Sequence, residues 1–222
     1  MWGYYFQQLT ASVPFFLKGL WMTVLVSGSS LIMGTVLGFA LGVLRTSRIG
    51  PFRFLLALYV DFMRGTPFLV QVFIVFFILP EWGIHLEAFS AAVLSLTAYA
   101  AAYICEIVAG GILVVPRGQK EAARASGLTR FQVLRLVVLP QAMRVILPPL
   151  VGQYVLLVKD SSVVSVIGLT DITRVGWLTV QRVPEGLMVF GLVGVLYFAV
   201  CYPLIRLSNR LEKRMSVQAF RL

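Results

Sequence analysis

The chain has 222 residues, 59% of them apolar and 13% charged, with a mean hydropathy of +0.90. That composition excludes a soluble domain and indicates an integral membrane protein. The net charge of +10 raises nucleic acid as a partner, but the basic residues gather between apolar segments, where lipid asymmetry already explains them, so nucleic acid is set aside.

Crossing the hydrocarbon takes ~20 residues at about 1.5 Å each. Five runs qualify and predict an all-α, polytopic protein: about 13–44, 54–79, 88–115, 145–167 and 186–206, in one transmembrane domain covering 1–222. The first basic residue is Lys18, so no positive region precedes the first apolar run. The first helix is therefore expected to stay in the mature protein. Fourteen of the 19 basic residues fall in three clusters: Arg45, Arg48 and Arg53; then Arg117, Lys120, Arg124, Arg130, Arg135 and Arg144; then Arg206, Arg210, Lys213, Arg214 and Arg221. The positive-inside rule places these in the cytoplasm, with the N-terminus outside, the C-terminus inside, and the loops at 80–87 and 168–185 outside.

The opening MWGYYFQQLT, with Trp2, Tyr4, Tyr5 and Phe6, suits a short segment at the outer interface. In the first span Ser30, Gly34, Gly38 and Gly42 recur every four residues and form one small-residue face for close helix approach, within the chain or between subunits. The second span carries RGTPFLVQ, in which Gly65 and Pro67 interrupt an apolar helix. Broken backbone at membrane depth survives only beside protein or a water-filled cavity. Asp61 and Arg64, three residues apart, are placed to pair across one turn, and Arg64 is a structural counter-ion or part of a pathway.

Glu106 is the only charge of the third span, and Lys159, Asp160, Ser161, Ser162 and Ser165 form a polar row in the fourth. Charges within spans mark a path or a binding site. Counted from the cytoplasmic ends, Arg64, Glu106 and Asp160 lie ~15, ~14 and ~22 Å deep, so all three are expected around one chamber near the bilayer centre. The tail RLSNRLEKRM reads as a cytoplasmic amphipathic extension that anchors to lipid.

The segment at about 116–144 is charged yet folded in character. Lys120 to Ala125 are helix formers, Gly127 is a helix stop, and Thr129 with Gln132 makes a capping box, with Leu128 placed to staple onto Val133. Pro140 is expected to close the unit. Catalytic inventory is poor: His85 is the only histidine, Cys105 and Cys201 read as small buried residues, no metal site is indicated, and no G-x-x-x-x-G-K-[ST] loop is present. An enzyme is therefore not expected. Any energy for transport must come from a partner or an ion gradient.

The run EAARASGLTRFQVLRLVVLP, from Glu121 to Pro140, resembles the EAA loop of ABC importer permeases. With SVPFFLKGLWMTV, RGTPFLVQ, AAYICE, PRGQKEAA, LPQAMRVILPPL and VKDSSVVSVIGL in order, nearly the whole chain is similar to polar amino acid permeases of the histidine and glutamine type. The resemblance implies a five-span permease subunit of a bacterial inner membrane with a cytoplasmic coupling helix. The resemblance further implies pairing with itself or a paralogue, with ABC ATPase subunits that carry ATP and Mg, and with an extracytoplasmic solute-binding protein. It also implies ATPase coupling through Glu121, Ala122, Ala123, Gly127, Leu139 and Pro140, substrate binding by Arg64, Glu106, Asp160, Ser161 and Ser162, and a path shaped by Asp61, Gly65, Thr66, Pro67 and Gln71. One departure is Ala109, where the family commonly has an arginine three residues after the glutamate. It leaves open whether this chain holds a complete pocket. The competing class is an ion-coupled carrier or channel, in which the same buried charges relay protons or cations.

Overall fold

A computed structural model describes residues 2–46, 50–183 and 185–219; Arg48 and Arg221 of the basic clusters lie outside them. Helix α1 (Trp2–Arg45) is followed by α2 (Gly50–Gly65), and then by α3 (Phe68–Phe73), which continues through wide turns over Ile74–Ile78 and a tight turn over Leu79–Trp82. Next come α4 (Ala88–Val114), α5 (Arg117–Ala125), α6 (Arg130–Gln132), α7 (Leu139–Asp160), α8 (Ile172–Val180) and α9 (Gly186–Ala219). Four spans are long apolar helices, and the fifth is α2 with α3, bent by 109°. The five-span, all-α expectation holds, with the second span broken rather than merely interrupted.

Helix α4 is the axis of the bundle. Its small residues Ala91, Ala92, Ala100, Ala101 and Ala102 are fully buried, and α1, α2, α3 and α7 pack around it. The small-residue face of α1 meets it directly. A Cβ at Gly34 would come within 2.7 Å of Ala100 Cβ, one at Gly38 within 2.8 Å of the Ala101 carbonyl oxygen, and one at Gly42 within 2.9 Å of the Cys105 carbonyl oxygen. Ser30 completes the face by donating to the Val93 carbonyl at 3.4 Å. The face is thus used within the chain, while the opposite side of α1 leaves Ile32 and Val36 exposed, as lipid or another subunit requires.

Two expectations are corrected. Residues 2–10 are the opening turns of α1 and not a separate segment, because no breaker ends the helix between them and Pro14. Of the four aromatics only Tyr5 has a described side chain, and it packs against the buried cluster that holds Phe16 and Val189. Pro140 does not close its unit: the helix that starts at Arg130 runs to Ile167, as one 38-residue candidate span. Wide turns over Val133–Val138 precede the proline and absorb its missing donor.

On the opposite side of the bundle, α8 is tied to α1. Asp171 caps it by accepting from the Arg174 N–H at 2.8 Å, and Thr23 accepts from the Ile172 N–H at 3.2 Å. Burial pushes the Asp171 carboxyl above the usual carboxylate range, opposed by the Arg174 N–H and the Tyr197 hydroxyl.

Candidate functional site

The break between α2 and α3 is built by local chemistry. Pro67 has no N–H for the Met63 carbonyl one turn back, which would leave that oxygen without a partner. Gln71 supplies the donor: its Nε2 reaches the Met63 carbonyl at 2.8 Å, the Thr66 carbonyl at 3.2 Å and Thr66 Oγ1 at 2.9 Å. Thr66 in turn donates its hydroxyl to the Phe62 carbonyl at 2.8 Å. The bend is thus held by its own side chains, and it presents Arg64 at its inner corner.

Arg64 faces α4. Its guanidinium lies 3.3 Å from Glu106 Oε2 and 5.6 Å from the centroid of the Tyr103 ring. Glu106 is shared: Arg45, from the end of α1, forms an ion pair with the same oxygen. Asp61 is exposed on α2, and no ion pair joins it to Arg64 among the described residues. The expected i, i+3 pair gives way because Glu106 offers Arg64 a carboxylate in a half-buried setting, where attraction is less screened.

An open cavity of about 510 Å³ lies beside this pair, lined by Arg64, Tyr103, Glu106, Pro149, Gly152 and Gln153 among others. Asp160 is not in its wall. It is half-buried beside Tyr99, whose ring packs in a tilted arrangement against Tyr103 and Phe68, with centroids 4.8 Å away in each case. One aromatic pair therefore separates Asp160 from the Arg64–Glu106 pair, and the expected single chamber lined by all three is not seen among the described residues. Ser161 is fully buried, and its hydroxyl donates to the Val158 carbonyl at 2.8 Å, whereas Ser162 remains half-buried.

Sequence reasoning missed Arg45, Tyr99, Tyr103 and Gln153. Tyr99, Tyr103 and Glu106 recur at i, i+4 and i+7, so one face of α4 carried a legible signal. Ala109 lines a neighbouring cavity of about 580 Å³ together with Arg45, Arg53 and Glu106. The second cation on Glu106 thus comes from α1.

The charged loop forms the rigid turn expected of it. Gly127 has φ +83°, a conformation costly for residues with a Cβ. Its N–H donates to the Arg124 carbonyl at 2.9 Å, and the Leu128 N–H donates to the Ala123 carbonyl at 3.2 Å, so the last carbonyls of α5 are satisfied in a Schellman turn. The capping box follows: the Gln132 N–H donates to Thr129 Oγ1 at 3.3 Å, and the Thr129 N–H donates to Gln132 Oε1 at 2.8 Å. Leu128 and Val133 join the same core cluster, consistent with the staple. Glu121, Ala122, Gly127 and Pro140 are exposed, Leu139 is partly buried, and Ala123 is buried against the bundle. The Lys120 ammonium donates to the Ile112 carbonyl at 3.0 Å and so caps the end of α4.

Relatives named as amino acid permeases match this chain over nearly its whole length. The glutamine transport system permease protein GlnP of Escherichia coli (strain K12) is 34% identical over 208 residues, covering 93% of this chain and 95% of that protein. The arginine transport system permease protein ArtQ of Bacillus subtilis (strain 168) is 33% identical, covering 95% and 96%. The solved structure of an amino acid ABC transporter with histidines superposes with a TM-score of 0.86 at 32% identity, over 94% of this chain and 98% of that one. An inward-facing structure of the MetNI methionine ABC transporter gives 0.77 at 25%, over 91% and 97%. Residues 34–217 match the family described as binding-protein-dependent transport system inner membrane component, and the chain, with its five apolar spans, belongs to that family.

Proposed function

We propose that the chain is the membrane-spanning subunit of an ATP-driven importer of polar amino acids, with its N-terminus outside and its C-terminus in the cytoplasm. The observation that carries this reading is the Arg64–Glu106 pair, 3.3 Å apart at the wall of an open cavity. The two charges satisfy each other. An amino acid brings one charge of each sign, so its carboxylate can replace Glu106 at Arg64 while its ammonium replaces Arg64 at Glu106. Arg45 stays on Glu106 throughout, so the exchange never leaves that carboxylate unpaired. Asp160, one tyrosine pair away, suits a second cationic group, and Ser162 adds a hydroxyl near it. Relatives named for glutamine, cystine and arginine stand at 32–36% identity, which supports the substrate class and favours none of its members.

The chain carries no nucleotide-binding loop of its own, so ATP and Mg belong on partner ATPase subunits docked at Glu121 to Gly127. A solute-binding protein delivers the amino acid from outside, and a second permease copy or a paralogue completes the path. The test is uptake in vesicles holding the chain with its ATPase and binding protein. Uptake should require ATP, and Glu106→Gln should raise the half-saturating substrate concentration about tenfold or more, the effect of losing a charged hydrogen bond worth roughly 1.5–3 kcal/mol. Ion-gradient uptake by the chain alone would instead establish a secondary carrier.

A further inference from the structure

Helix α5 has two faces. Gly118, Glu121, Ala122 and Ala125 are exposed on one, whereas Lys120 and Ala123 pack toward the bundle and Arg124, exposed at the edge between the faces, borders the cavity beneath. The second face, continued by Arg130 and Phe131, closes a cavity of about 390 Å³ against the ends of α1 and α4, where Leu44 and Leu113 line the wall. Lys120 is spent on the Ile112 carbonyl. Arg124 and Arg130 have no carboxylate partner among the described residues. Leu113 is 70% exposed and Phe131 67%, so the two exposed cations border an apolar surface.

We propose that this cavity binds the headgroup of an anionic phospholipid. Arg124 and Arg130 grip the phosphate through charge-assisted hydrogen bonds, and Leu44, Leu113 and Phe131 carry the glycerol and the first acyl carbons. The chemistry fits neither a free anion, which has no use for the apolar wall, nor a neutral lipid, which leaves two guanidinium groups uncompensated. The site faces away from the exposed Glu121–Ala122 side that the coupling reading assigns to the ATPase. One lipid can therefore hold α5 to the membrane while its other face carries a partner. The proposal needs only that this end of the spans lies at a membrane surface, and it is independent of the transported substrate.

The test uses the full chain in complex with its ATPase, delipidated in detergent and titrated with phosphatidylglycerol or phosphatidylcholine, with retention read by native mass spectrometry. Phosphatidylglycerol should be retained in preference, and each of Arg124→Gln and Arg130→Gln should weaken it about fivefold. The charge-conserving pair Arg124→Lys with Arg130→Lys should retain it, which separates loss of the site from loss of the fold. Equal retention of the two lipids overturns the proposal, as does full retention by the double glutamine variant. Displacement of phosphatidylglycerol by millimolar inorganic phosphate would make the site one for a free anion. Loss of the ATPase from the double glutamine variant with lipid retention unchanged would assign the surface to that partner.

Discussion

Pro67 takes a donor away from the Met63 carbonyl, and Gln71 returns one from a side chain four residues on. The repair is specific in geometry: a side chain one turn beyond the break leans back toward it. Replacing Gln71 with Leu keeps the bulk but strands the Met63 and Thr66 carbonyls in a buried setting, which costs about 1–3 kcal/mol. Thermal unfolding of the purified variant should show a midpoint lowered by several degrees, and an unchanged midpoint would mean that water or backbone satisfies the break. The proline and the spacing to Gln71 were both legible in RGTPFLVQ, although the sequence reading used only the first. Arg45 was not legible as a site residue. It reaches Glu106 across 61 positions of sequence, and no local pattern in either helix announces that meeting.

At the scale of elements, the turn between α5 and α6 was the most readable part of the chain, because every interaction that shapes it lies within about five residues. Gly127, Thr129 and Gln132 each do locally what their residue types do in any helix pair. Nothing lies within 4 Å of a Cβ built at Gly127, so a substitution there acts through backbone conformation and not crowding. Gly127→Val should disfavour the left-handed turn by at least ~1–2 kcal/mol, whereas Gly127→Asn, which tolerates it, should do less. Assayed with the partner ATPase, the Val variant is expected to hydrolyse ATP with little uptake and the Asn variant to keep most of both. Equal, normal uptake in the two variants would remove the turn from the coupling path. Pro140 shows the limit of local reading. A proline normally ends a helix, but here the preceding wide turns let the rod run through it into the membrane span.

For the whole molecule, counting apolar runs and basic clusters recovered five spans and their order, since hydropathy and charge are sums that tolerate local error. It did not reveal that α4 forms the centre of the bundle, which depends on which faces carry alanine. The inside–outside assignment is testable with single cysteines, because Cys105 and Cys201 are both buried and should stay silent. His85→Cys, in the exposed 80–87 loop, is expected to react with a membrane-impermeant maleimide in intact spheroplasts. Ser126→Cys should react only after permeabilisation, and the reverse order would invert the topology. The 109° bend also bears on how the chain enters the membrane during synthesis. Helix α2 has 16 residues, ~24 Å, short of the ~30 Å hydrocarbon, and its last turns carry Asp61 and Arg64. Each such charge opposes insertion near the bilayer centre by about 2.5–3.5 kcal/mol. Left to itself, α2 is a poor passenger for the insertion machinery. Its retention therefore waits on α4, whose Glu106 neutralises Arg64 and whose alanine face gives α2 a protein surface in place of lipid.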